Sequence, residues 1–129
     1  MRFMTLIKSK ENSKSGPPPA ELFQAIAGLG AEAKQAGVLV DTAGLLPTMT
    51  GARVRLDGGR IVTSEGPFGS DQEVVGGYAI FNVSSKQEAV RWTERFMEVH
   101  RQHWKGWEGE TEVRQMIQPQ DAGTGSTHG

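Results

Sequence analysis

Apolar and polar residues alternate from Met1 to Lys8, with Met1, Phe3, Thr5 and Ile7 on one side and Arg2, Met4, Leu6 and Lys8 on the other. A period of two is that of a β-strand, and apolar groups on both sides predict a sheet covered on both faces. Ser9 to Ser15 is polar and unpatterned and reads as a loop. Gly16-Pro17-Pro18-Pro19 then introduces a helix, because proline is tolerated where the first helical N–H groups have no partner. Leu22, Ile26, Leu29 and Ala33 recur at helical spacing with Phe23 beside them, and Gly37 supplies a stop, so the spacing predicts a helix over 19–36. Gly28 and Gly30 each weaken that helix by roughly 1 kcal/mol relative to alanine. Close packing on the sheet is the compensation expected of them.

Val38 to Val40 reads as the end of a strand, and Thr42 to Thr50, with Gly44 and Pro47, as a connection. Ala52–Leu56 and Ile61–Thr63 flank Asp57-Gly58-Gly59-Arg60, the pattern of a hairpin whose turn needs positive φ. Ser64-Glu65-Gly66-Pro67-Phe68 follows, then a polar loop over 69–74. Gly76 to Ser84 reads as a strand, with Tyr78, Ile80 and Asn82 on one face and Ala79, Phe81 and Val83 on the other. Ser84 or Ser85 can cap a second helix, with Gln87 or Glu88 placed for a capping box. Ala89, Trp92, Phe96 and Val99 form its apolar stripe, and it ends near Trp104-Lys105-Gly106. Thr111 to Gln118 reads as the last strand, stopped by Pro119. The remainder is Gly, Ser and Thr without an apolar anchor, so the chain divides into a domain over 1–118 and a C-terminal tail over 119–129 expected to be disordered.

The order strand, helix, strand, hairpin, strand, helix, strand is that of an α+β, ferredoxin-like domain with an extra hairpin. Both helices are expected to cover one face of an antiparallel sheet. The second face, carrying Tyr78 and Ile80, is then left for a second copy, which predicts a face-to-face homodimer.

Composition narrows the function classes. The chain has 129 residues, with 14 Lys and Arg against 15 Asp and Glu, a net charge of -1. One domain is expected, without the concentrated basic surface that nucleic acid requires. Cysteine is absent, which excludes disulfides, thiolate metal sites and a cysteine nucleophile. The first residues are too short and polar a segment for a signal peptide or membrane span, so a soluble, cytoplasmic protein is expected. Neither a P-loop, a Gly-x-Gly-x-x-Gly after a strand, nor a Gly-x-Ser-x-Gly occurs, and no cofactor is expected. His100 and His103 can share one side of the second helix, but a metal site needs a further ligand, so none is expected; His103 reads as the edge of the core. Trp104 and Trp107 read as packing groups.

Glu65-Gly66-Pro67-Phe68, a polar loop and Gly76-Gly77-Tyr78 together resemble the DGPF branch of the YCII-related family. Met4–Ile7 resembles its opening strand, Ala36-Gly37-Val38-Leu39 its helix-to-strand joint, Leu45-Leu46-Pro47 its Leu-x-Pro element, and Val113-Arg114 its closing strand. The resemblance spans residues 1–116. It implies a dimeric α/β-barrel of ferredoxin-like subunits, and small enzymes or ligand binders whose candidate site is the acidic position before Gly-Pro-Phe. That position is Glu65 here in place of the family's Asp, one methylene longer.

Glu65 is accordingly the candidate catalytic residue, a general base or an anchor for a cationic group, unless it fixes its loop by accepting backbone N–H bonds. Phe68 packs the loop or contacts a ligand. Tyr78 fills the dimer interface or projects its hydroxyl into a cleft. Thr48 is the remaining candidate ligand-binding residue. The expected function is a small-molecule-binding dimer and, if an enzyme, one of cofactor-free lyase or isomerase type with one carboxylate as base. The alternative is a non-catalytic interaction or regulatory module.

Overall fold

Residues 1–12, 14–69 and 71–119 are described in the computed structural model. Alternation in the first residues does form a strand, β1 (Arg2–Ser9), and this strand is the centre of a four-stranded sheet. On one side β1 pairs antiparallel with β5 (Val74–Asn82), and on the other with β6 (Glu110–Gln115). The outer partner of β5 is β2 (Leu39–Gly44), again antiparallel, giving the order β2-β5-β1-β6. With helices α1 (Ala20–Gln35) after β1 and α2 (Lys86–His103) after β5, this is an α+β arrangement compatible with a ferredoxin-like fold.

Helix α1 starts behind Pro19, and Gly37 takes φ 78° just past its last turn, the left-handed conformation that glycine adopts without strain. Helix α2 begins at Ser85, whose hydroxyl accepts the Glu88 N–H at 3.1 Å; the Glu88 carboxylate in turn accepts the Ser84 N–H at 3.1 Å. This is a variant of the capping box read from the sequence, in which the carboxylate reaches Ser84, one residue before the cap, rather than Ser85 itself. Arg95 on α2 forms a two-pronged ion pair with Glu32 on α1, tying the helices together at the surface.

Both helices lie on one face of the sheet. The core between them is Phe3 from β1, Ala33 from α1, Phe81 and Val83 in and just after β5, and Ala89 from α2. Phe81 stacks on Trp92 with ring centroids 6.3 Å apart. Burying a phenylalanine of this kind contributes roughly 1.5–3 kcal/mol.

Three local expectations are modified. Strand β2 continues to Gly44 through residues read as a connection; it is an edge strand, so Asp41 and Thr42 stay exposed and show no apolar alternation. Strand β6 ends at Gln115, short of Gln118. The helical glycines do not mediate close packing: a Cβ at Gly28 would meet nothing within 4 Å, and one at Gly30 only a Leu39 methyl at 3.9 Å. Gly76, in contrast, sits at a bulge, because Ile7 pairs with Gly77 while Lys8 pairs with Val75. The expected tail over 119–129 lies outside the described residues beyond Pro119.

The hairpin forms as the Gly58-Gly59 turn requires, with φ 57° and 81° at the two glycines. Its strands, β3 (Ala52–Asp57) and β4 (Arg60–Glu65), pair with each other and form a separate two-stranded sheet. Every residue of both strands is exposed.

Candidate functional site

The loop that carries the motif is a joint between the hairpin and the main sheet. A short 3-10 turn over Thr48–Thr50 enters the hairpin, and Gly66-Pro67-Phe68, with a cis Gly66–Pro67 peptide, leaves it. Thr48 fastens the two segments. Its hydroxyl accepts the Phe68 N–H at 3.0 Å and lies 2.9 Å from the Phe68 carbonyl and 2.7 Å from a Glu11 carboxylate oxygen. One hydroxyl proton serves one of those two acceptors at a time. Glu11 also accepts the Thr48 N–H at 2.6 Å, and Gly66 donates to the Gly51 carbonyl at 2.9 Å. A Cβ on Gly66 would stand 1.8 Å from the Thr48 carbonyl oxygen, so this close approach admits glycine alone. The Arg53 guanidinium covers the Phe68 ring at 4.0 Å.

The four candidate residues do not converge. Thr48 and Phe68 meet in the joint. Glu65 pairs through its backbone with Ala52, and its side chain is exposed, without a side-chain hydrogen bond or ion pair among the described residues. Tyr78 pairs with Leu6 and Ala43, so its side chain lies on the sheet face away from the helices. There its hydroxyl donates to Asp41 at 3.1 Å, and that hydrogen bond, followed by the charge of Asp41, raises the phenol above its ordinary value. Met4, Leu6 and Ile80 share this face and are half-buried. Its edge is charged: Lys8 contacts Glu112 at 3.1 Å and Glu110 at 3.6 Å.

A cavity of about 340 Å³ lies on the opposite, helix-covered side of the sheet. Leu22, Ile26, Phe81, Trp92 and Phe96 supply much of its apolar wall, and the exposed Phe23 and Leu45 contribute to its border. Glu65, Thr48 and Phe68 do not line it; Tyr78 does, although its side chain is directed to the other face. Among the described residues, no Asp, Glu, Lys or Arg lines the cavity.

His100 is a buried ionisable group in this wall. It is only 5% exposed, and Nδ1 lies 3.0 Å from the carbonyl of Phe96 one turn earlier. Its ring sits 4.5 Å from both the Phe96 and Trp107 rings, and Trp107 stacks on Trp104 at 5.6 Å. Burial pushes the imidazole below its ordinary value, against the opposing pull of the Phe96 hydrogen bond. Thr93, also buried, donates to the Ala89 carbonyl at 2.8 Å. The buried line of α2 is therefore Ala89, Thr93 and His100, rather than one continuing to Val99. The signal that finds His100 is the helical spacing from Ala89 through Phe96. No cluster of three or more His, Asp or Glu side chains with metal-site geometry occurs among the described residues.

The described chain has no helix long and apolar enough to cross a membrane. A family model for the YCII-related domain matches residues 1–115. The chain belongs to the YCII-related family. The matched YCII-related domain runs from β1 to the end of β6, so the joint, the hairpin and the cavity all lie within it. No curated protein matches the chain.

Proposed function

We propose that this YCII-related chain is a homodimeric small-molecule-binding protein whose ligand occupies the cavity between the helices and the sheet. The observation that carries this reading is the 340 Å³ apolar cavity with the buried His100 imidazole in its wall. That volume falls in the range of small-molecule pockets, and few polar groups among many apolar ones is their usual chemistry. In enzymatic form, the reading is cofactor-free proton transfer of lyase or isomerase type. Glu65, in the Glu-Gly-Pro-Phe sequence that fits the DGPF branch, is the carboxylate available as base, but a ligand in this cavity meets His100 and not Glu65. The test is titration with 2-naphthol, a neutral two-ring probe, followed by the indole N–H resonances of Trp104 and Trp107. Saturable shifts at a single site support the reading, and a wholly non-saturable response overturns it.

The homodimer rests on two uncovered surfaces. Met4, Leu6 and Ile80 form an apolar centre on the helix-free face, and the hairpin exposes Val54, Leu56 and Ile61 by 68%, 76% and 74% on one side. A two-stranded hairpin is marginal by itself in water. A second copy covering these surfaces would be an isologous partner. Sedimentation at micromolar concentration is expected to give a dimer and Ile80→Lys a monomer; a monomeric wild type sinks the dimer.

The second reading, a non-catalytic interaction or regulatory module, draws on the same hairpin. The double change Leu56→Ser, Ile61→Ser separates the two. Loss of self-association assigns the hairpin to the second copy, and retained self-association leaves it for a different protein.

A further inference from the structure

We infer that the cavity takes an uncharged aromatic or enolic molecule bearing a hydroxyl, and that His100 Nε2 accepts the hydrogen bond this hydroxyl donates. The inference rests on the cavity being the ligand site and goes on to name the class of ligand.

The tautomer follows from one contact. The atom facing Nδ1 at 3.0 Å is the Phe96 carbonyl oxygen, which can only accept, so Nδ1 must carry the proton. In the neutral ring Nε2 is then a bare lone pair. Nδ1 is tied to the backbone of α2 itself, so Nε2, on the far side of the ring, points away from that helix. No hydrogen bond to Nε2 occurs among the described residues, although the side chain is 5% exposed. A buried acceptor without a partner has lost its hydration without compensation, a penalty that a donating ligand relieves.

The rest of the wall sorts ligands in the same direction. The hydroxyl protons of Thr5, Thr42 and Thr93 are committed to the carbonyls of Ala79, Tyr78 and Ala89, and that of Thr111 to the Met97 sulfur. The Trp104 indole N–H is committed to the Ser15 carbonyl. Most hydroxyl protons of the wall are thus already used; the Ser9 hydroxyl and the indole N–H groups of Trp92 and Trp107 are the side-chain donors left among the described lining residues. With no charged side chain among the described residues of the wall, a carboxylate or ammonium group would be buried there without a counter-charge from them. The Phe96 and Trp107 rings, each 4.5 Å from the His100 ring, add aromatic surface beside it for a flat molecule.

The test compares 2-naphthol, its methyl ether 2-methoxynaphthalene and the anion 2-naphthoate by calorimetry and by resonance shifts of the lining residues. With a net hydrogen bond of ordinary strength, 2-naphthol should bind wild type about tenfold more tightly than the ether. The anion should not saturate. In His100→Phe the ether should still bind and the advantage of the hydroxyl should vanish. Equal affinity of 2-naphthol and ether in wild type, or an advantage that survives His100→Phe, overturns the inference while leaving the cavity as the ligand site. If no probe binds, the cavity reading falls and the inference with it. Because His100→Phe can fail to fold, the wild-type ring nitrogens provide an independent reading by long-range proton–nitrogen correlation. Nε2 is expected bare in the free protein and shifted by 2-naphthol; a proton on Nε2 in the free protein overturns the inference.

Discussion

Replacing Gly66 by alanine would place a methyl carbon 1.8 Å from the Thr48 carbonyl oxygen, 2.8 Å from its carbon and 3.1 Å from the Gly51 carbonyl oxygen. All three neighbours are backbone, so no side-chain rotation relieves the overlap, and the turn over 48–51 must move. Movement weakens the Gly66 N–H bond to Gly51 and the Thr48 hydroxyl contacts with Phe68. Overpacking costs about 1–3 kcal/mol, and a weakened hydrogen bond adds up to about 1 kcal/mol. Restricting the unfolded chain returns about 0.4–1 kcal/mol, leaving a net loss of roughly 1–3 kcal/mol. With a urea dependence of about 2 kcal/mol per molar, the midpoint should fall by roughly 0.5–1.5 M. Trp92, Trp104 and Trp107 report global unfolding by fluorescence, whereas amide exchange at Gly51 and Phe68 reports the joint itself. Both should move. A wild-type midpoint together with wild-type protection at Gly51 and Phe68 would refute the steric reasoning. Lost protection with an unchanged midpoint would show that the joint opens alone and contributes nothing to global stability.

The matching substitution at Gly28 should act in the opposite direction: its helical Cβ meets open space, so Gly28→Ala is expected to raise stability by about 1 kcal/mol in the same urea experiment. Ser85→Ala removes the acceptor of the Glu88 N–H and should cost about 1 kcal/mol, with helix α2 fraying first in amide exchange. Stability should also depend on pH through His100, which burial holds below the ordinary 6.5. The unfolded chain then binds a proton that the folded chain does not, so this contribution is full above 6.5, declines as pH falls towards the lowered folded value, and levels off below it. Urea midpoints from about pH 8 to about pH 5 should show that decline in wild type and lose it in His100→Phe.

Hydrophobic period made most of the fold legible. The alternation of Phe3, Thr5 and Ile7 against Met4 and Leu6 placed β1 correctly, and the glycine pair at 58–59 announced its hairpin through a backbone requirement rather than a statistical preference. Strand β2 was harder to see beyond Val40, because an edge strand can be polar on both sides and still be hydrogen-bonded along one. Apolar patterning also misplaces the buried line of α2. Thr93 and His100 are polar, yet each hydrogen-bonds a carbonyl one turn back in its own helix and so can be buried at low cost. For this reason the histidine of the cavity was not distinguished from its neighbour His103. The motif around Glu65 identified a loop under real steric constraint. The direction of the carboxylate depends on the register of β3 against β4, which residue types alone do not specify.

The hairpin joins the domain at two places only in sequence, after β2 and before β5, and both of those strands end at the cavity. Gly44 and Leu45 line it from the first, Gly76 and Gly77 from the second, and the Leu45 N–H bonds the Gly76 carbonyl at 3.0 Å. The appendage is thus rooted at the pair of strand ends that frame the cavity, and Glu11, just after β1, adds a third tie through Thr48.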